Sequence, residues 1–156
     1  MQTTDVPPPQ DGRGYWVLPQ GSEEGGFYNY GTPAHGAGQY CHPALLNLIF
    51  MVGFGWAKID DRRFGIGNIS LAGGAKFEKH LSHRDGLQMD IRALRKDGQP
   101  LPVTYRDKEY DRNGTARLLN CFFETGLVKK VFFNDLTIPM VVYAATHDNH
   151  FHVAVR

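Results

Sequence analysis

The sequence predicts a single α+β domain, on three observations. Two stretches, Leu87 to Leu94 and Phe151 to Val155, alternate apolar and polar residues with the period of a half-buried strand. Two others carry helix signals: an apolar run from Pro43 to about Ala57, and an amphipathic segment from about Asp111 to Thr125. The length, 156 residues, suits one hydrophobic core.

Residues 1–27 are rich in Pro, Gly and polar side chains, with Pro7-Pro8-Pro9 among them, and read as a flexible or extended N-terminal arm. The domain proper is expected over residues 28–156. Tyr28 to Tyr40 reads as a Gly- and aromatic-rich loop. Pro43 suits the first position of a buried helix. That apolar run is shorter than the ~20 residues a membrane span needs. Gly65 to Leu71 is expected as a short strand, broken by Gly73-Gly74, and Ala75 to Gly86 as a loop or short helical turn. The alternating strand from Leu87 follows, with Gln88, Asp90 and Arg92 on its polar face. Lys96 to Tyr110 is a polar excursion with Asp97-Gly98 as a turn. The second helix shows an apolar face of Leu118, Leu119 and Phe122, with Gly126 as its C-terminal cap. Val131 to Phe133, Met140 to Ala144 and Phe151 to Val155 complete the expected strands.

Seventeen Lys and Arg stand against sixteen Asp and Glu. This balance argues against a dedicated nucleic-acid binder or an electrostatic membrane binder. The two cysteines, Cys41 and Cys121, have no metal-motif spacing; they suit either one disulfide or two small buried residues. The N-terminus lacks the basic and apolar pattern of a secretory signal. An extracytoplasmic role therefore calls for another delivery route, or for a signal outside these residues.

Five of the seven histidines fall in two tight groups. One is His80-Leu81-Ser82-His83, followed by Asp90; the other is His147-Asp148-Asn149-His150-Phe151-His152. Clustered His with Asp is a usual ligand set for zinc. His150 and His152 share one face of a strand, about 6.5–7 Å apart along it. Asp90 lies on the polar face of another strand, and His83, on the loop entering that strand, can fold over the same point. Three ligands, His83, Asp90 and His152, leave one tetrahedral position open, as catalytic zinc sites do. His150 need not bind the metal and suits proton transfer. The residues by themselves favour a metal site and name no substrate.

His-x6-Asp followed by a distant His-x-His resembles the zinc peptidases that include lysostaphin-type enzymes, D-Ala-D-Ala metallopeptidases and the hedgehog fold. Within that group the chain looks most like the penicillin-insensitive murein endopeptidases. The resemblance rests on Gly67-Asn68-Ile69-Ser70-Leu71, His80-x-x-His83-x-x-Gly86-x-x-x-Asp90-Ile91, Phe133-Asn134-Asp135 and His147-Asp148-x-His150-x-His152-Val153. It is dense from about residue 66 onward and absent from the first 27 residues. It implies a small antiparallel sheet with flanking helices, one zinc ion on His83, Asp90 and His152, and His150 assisting catalysis. It places His80 and His147 beside the metal or at the substrate rim, where Asp148 and Ser82 could contribute. His80, Ser82 and Asp148 also fit a turn cap or a solvated position. Gln88 and Ala154 depart from the family's usual residues.

The function expected from the resemblance is hydrolysis of D-alanine–diaminopimelate cross-links in peptidoglycan stem peptides, in the periplasm or on the wall. An exported antibacterial effector, with a cognate immunity or inhibitor protein as partner, or a phage lysin would suit a chain without a classical signal. Two alternatives stand beside it. One is a D,D-carboxypeptidase or other wall-peptide hydrolase. The other is a non-catalytic zinc protein that binds the wall or serves a secretion apparatus.

Overall fold

The structure is a computed structural model that describes residues 6–21 and 23–156. It is mixed α+β, with seven strands and two α-helices among the described residues. The strands are β1 (Trp16–Val17), β2 (Phe27–Asn29), β3 (Tyr40–Cys41), β4 (Phe64–Ile66), β5 (Gln88–Arg92), β6 (Val128–Phe132) and β7 (His150–Val155). The helices are α1 (Pro43–Ala57) and α2 (Arg112–Glu124). A five-stranded sheet runs β2-β4-β5-β7-β6, and β1 with β3 makes a separate antiparallel ribbon. The main sheet is antiparallel except at one edge, where β2 runs parallel to β4. The expectation of a purely antiparallel sheet is corrected there: α1 crosses between β2 and β4 and returns the chain in the same direction.

Alternation along the central strands separates two faces. Met89, Ile91, Phe151 and Val153 are fully buried and share the core with Leu45, Leu48, Ile49, Val52 and Trp56 of α1 and Leu118, Leu119 and Phe122 of α2. Phe122 meets Phe64 and Phe151 edge-on at ring separations of 5.9 and 6.1 Å. Losing such a buried ring costs about 3–5 kcal/mol. With the helices covering that face, the opposite face of β5 and β7 holds Gln88, Asp90, Arg92, His150 and His152. Asp90 and His152 are direct cross-strand partners, as are Arg92 and His150.

Local chemistry sets the helix ends. Nδ1 of His42 accepts from the Ala44 amide at 3.0 Å, and Pro43 follows at the first helical position. Asp111 caps α2 through the Gly114 amide at 2.9 Å, while its other oxygen meets Arg62 at 2.8 Å. Gly126, past the end of α2, has φ of 70°, the left-handed conformation expected of a terminating glycine. Gly53 of α1 lies against the Gly25 carbonyl so closely that a Cβ would collide. Alpha-helix α1 is not buried all round: Met51 and Phe54 are exposed.

Three further expectations change. Met140 to Ala144 is not a strand; only Val142 bridges to Phe132. Pro139 precedes it, and Met140 turns the chain with φ of 70°. The strand expected from Gly65 to Leu71 ends at Ile66, because the backbone then bonds outward to the segment before α1, Ile69 N to Gly38 O and Tyr40 N to Ser70 O. The expected loop from Tyr28 begins inside β2.

Part of the expected arm, residues 1–5 and 22, lies outside the described residues. The rest is laid on the domain. Leu18 is fully buried, β1 pairs with β3, and Tyr40 Oη donates to Pro8 O at 2.7 Å. Cys41 is buried and Cys121 half-buried; both are free thiols.

Candidate metal centre

The seven histidines fall in two groups and two singletons along the chain, and the fold gathers five of them around one carboxylate. Asp90 is 6 % exposed, at the centre of the polar face. Its Oδ1 lies 3.1 Å from His152 Nδ1, 3.2 Å from His83 Nε2 and 3.8 Å from His150 Nε2. Its Oδ2 lies 3.8 Å from His80 Nδ1. His147 stacks behind, with its ring 4.8 Å from that of His150 and 5.9 Å from that of His152. His83 and His152 are themselves buried, with rings 4.8 Å apart.

With a cation in place of the proton that faces Asp90, the outer contacts decide which nitrogen of each ring is bare. His83 Nδ1 faces the Ile69 carbonyl at 3.1 Å. A carbonyl only accepts, so Nδ1 carries the hydrogen and Nε2 points at Asp90 without one. His152 Nε2 faces Gln88 Oε1 at 2.8 Å. The Gln88 amide cannot be turned round, because its nitrogen donates to Ser82 O at 2.9 Å and Asp85 Oδ2 at 3.1 Å. His152 therefore carries its hydrogen on Nε2 and presents bare Nδ1 to Asp90. His150 Nδ1 donates to Asn149 Oδ1 at 2.8 Å, which again leaves Nε2 bare. Three ring nitrogens thus lie within 3.8 Å of one carboxylate oxygen. Such an arrangement is repulsive unless a proton or a cation fills it, and three imidazoles with a carboxylate are the donors divalent zinc takes.

Among the described residues, His80, His83 and Asp90 each offer a ligand atom, all within 4.8 Å of one another, so the group could hold a metal ion. His80 differs from the other rings in its hydrogen bonding. Asn68 Oδ1 accepts from the Thr32 amide at 2.7 Å, so Asn68 Nδ2 is the atom 2.9 Å from His80 Nε2. It donates there, and His80 keeps its hydrogen on Nδ1, the nitrogen facing Asp90. As arranged, His80 offers the carboxylate a donor rather than the metal a lone pair.

The Asp90 carboxyl is under two opposing influences. Burial alone pushes its carboxyl up, but the facing His152 and His83 more than offset this and hold it well below the usual carboxylate range. Burial pushes His80 and His150 down, against the opposing pull of Asp90.

Two expected neighbours do not reach the metal point. The Ser82 side chain is exposed, and only its carbonyl takes part, through Gln88. Asp148 accepts from Asn134 Nδ2 at 2.7 Å and anchors the loop before β7. His147 Nδ1 donates to Ala145 O at 2.8 Å and lines the rim. The roles of Gln88, Asn68 and Asn149 were not foreseen. Gln88 carried a signal nonetheless, standing two residues before Asp90 on the same face of an alternating strand.

Two cavities adjoin Asp90. One, of about 380 Å³, is lined by Tyr30, Thr32, Asn68, Arg92 and Asn149; the other, of about 230 Å³, by Lys79, Leu81, Ser82, Thr146 and His147. His80, Asp90 and His150 line both. Compared with known protein families the chain matches none, and no curated protein matches it.

Proposed function

We propose that this chain is a zinc peptidase of the hedgehog/D,D-peptidase type that hydrolyses cross-links between peptidoglycan stem peptides, of the D-alanine–diaminopimelate kind. The observation that carries this reading is the approach of three imidazole nitrogens to within 3.8 Å of Asp90 Oδ1, a residue that lines two cavities. The motif resemblance supplies the substrate. His83, Asp90 and His152 would hold the ion, with Ile69 O and Gln88 Oε1 orienting the two imidazoles. Bound zinc polarises a scissile carbonyl and brings the pKa of water towards about 7.

The chain's own residues do the rest. His150 lies partly exposed beside the ligands, with Nδ1 held by Asn149, so Nε2 is free to take a proton from the attacking water and return it to the leaving amine. His80 Nδ1–H points towards the same centre from the other side and can steady negative charge as it develops. Two separate cavities lined by Asp90 favour cleavage within a peptide over trimming of an end, since they leave room for chain beyond the scissile bond.

Purified sacculi incubated with zinc-loaded protein test the proposal, with His150→Ala in parallel. Conversion of cross-linked dimers to monomers by the intact protein alone is the expected result. Release of free D-alanine without loss of dimers would replace it with a carboxypeptidase. Unchanged sacculi, with zinc confirmed in the protein, would leave a binding role.

A further inference from the structure

We infer that Arg92 is the anchor of a carboxylate-binding subsite beside the metal centre, so that the preferred peptide carries a free carboxylate within about two residues of the scissile bond. This rests on the peptidase reading and adds a substrate feature to it.

Arg92 follows Asp90 by two residues on β5 and stands opposite His150 on β7. Its side chain therefore leaves the sheet on the metal face, about 6.5–7 Å along the strand from Asp90. An extended peptide covers that span with about two residues. The guanidinium lies over the Tyr30 ring, 4.0 Å from its centroid, and Nη1 donates to Pro100 O at 3.0 Å. The fork is thus held before any ligand arrives, which lowers the ordering penalty on binding.

Among the described residues, no carboxylate lies within 4 Å of Arg92, and Nε and Nη2 have no protein acceptor. Arg13, Arg62, Arg95 and Arg117 are paired with carboxylates, while Arg84 and Arg112, like Arg92, bond only to neutral oxygens but lie outside the metal face. Arg92 is also the sole Lys or Arg lining the 380 Å³ cavity, whose remaining polar groups include Thr32 and Asn149. A planar fork with two unoccupied donors beside hydroxyl and amide groups matches a carboxylate. A chain terminus and an acidic side chain present the same chemistry.

The test measures binding and does not depend on turnover. Zinc-loaded His150→Ala protein is titrated calorimetrically with three peptides: N-acetyl-D-Ala-D-Ala, its C-terminal amide, and N-acetyl-D-Ala-D-Glu with its α-carboxyl amidated. One or both acids should bind about 10- to 100-fold tighter than the neutral amide. Whichever acid binds tighter identifies a terminal or a side-chain carboxylate as the source. Adding Arg92→Gln should erase the difference. Arg92→Lys, which keeps the charge without the fork or the stack, should reduce it, and decides the matter if the glutamine variant does not fold. Equal affinity for all three peptides, absence of binding included, overturns the subsite. So does a preference that survives in the Arg92 variants, since the carboxylate would then sit on the metal. Inactivity on sacculi alongside an Arg92-dependent preference would reject the peptidoglycan substrate and keep the subsite.

Discussion

Gln88 Oε1 accepts a hydrogen bond from Nε2 of His152 across 2.8 Å, and the same amide donates to Ser82 O and Asp85 Oδ2. This contact selects the tautomer of His152 and aims its lone pair at Asp90. Gln88→Leu should lower zinc affinity about 10- to 100-fold by competition with a chromophoric chelator, while Gln88→Glu retains an acceptor and most of the affinity. Nitrogen shifts of His152 in metal-free protein should show a fixed Nε2–H tautomer in the wild type and a mixture in the leucine variant. An unchanged affinity would remove Gln88 from the centre.

Removal of the two strand histidines should have different consequences. His152→Ala is expected to lose both zinc and activity. His150→Ala should keep most of its zinc and lose activity by about 10²- to 10⁴-fold, the range for a proton-transfer group. Metal content and rate measured on the same samples check this division. Parallel loss of both in His150→Ala would make His150 a ligand.

Acid should empty the centre. His80 and His150, which flank the ligands, are pushed below the ordinary histidine value by burial. Each ligand imidazole must be neutral to bind. Zinc affinity should fall steeply between about pH 7 and pH 5, followed by equilibrium dialysis. A flat profile to pH 4 would argue against histidine ligation.

The N-terminal segment should prove part of the centre's support. Arg13 pairs with Asp11 and donates to Arg84 O at 2.6 Å and to Ser70 Oγ and Leu71 O at 3.0 Å. Gly73 N donates to Asp11 Oδ2 at 2.9 Å. These bonds clamp both ends of the loop that carries His80 and His83. Arg13→Ala should destabilise the protein by about 1–2 kcal/mol in urea unfolding and make the 71–86 loop more sensitive to limited proteolysis. Unchanged proteolysis would show that the loop holds itself.

A distant ion pair gives a pH test of the fold. Hydrogen bonds from Arg62 hold the Asp60 carboxyl down at about 2, with burial opposing. A carboxyl depressed on folding stabilises above its unfolded value of about 3.9, and that contribution fades as pH falls from about 4 to 2. Asp60→Asn should cost about 1–2 kcal/mol at pH 7, after allowance for solvent screening. The difference from wild type should vanish near pH 2. Thermal unfolding across this range decides it.

Period and punctuation in the chain determined much of this molecule. Pro43 with the following apolar run set α1 at Pro43–Ala57, and Asp111 with Gly126 bracketed α2. Alternation fixed Asp90 on one face of β5 and His150 and His152 on one face of β7, because successive strand side chains point to opposite sides. The grouping of His83, Asp90, His152 and His150 was legible for that reason. Tertiary structure alone decided the rest. No local pattern says that Asp90 stands opposite His152, that Leu18 belongs to the core, or that β2 pairs parallel with β4. These depend on contacts between residues far apart in the chain, whose register is set by how both faces of the sheet bury their side chains. The outer contacts were hidden for the same reason. Ile69 O, Gln88 and Asn68 choose the bare nitrogen of each imidazole, and a hydrogen bond's direction depends on where its partner sits in space, which residue spacing does not carry.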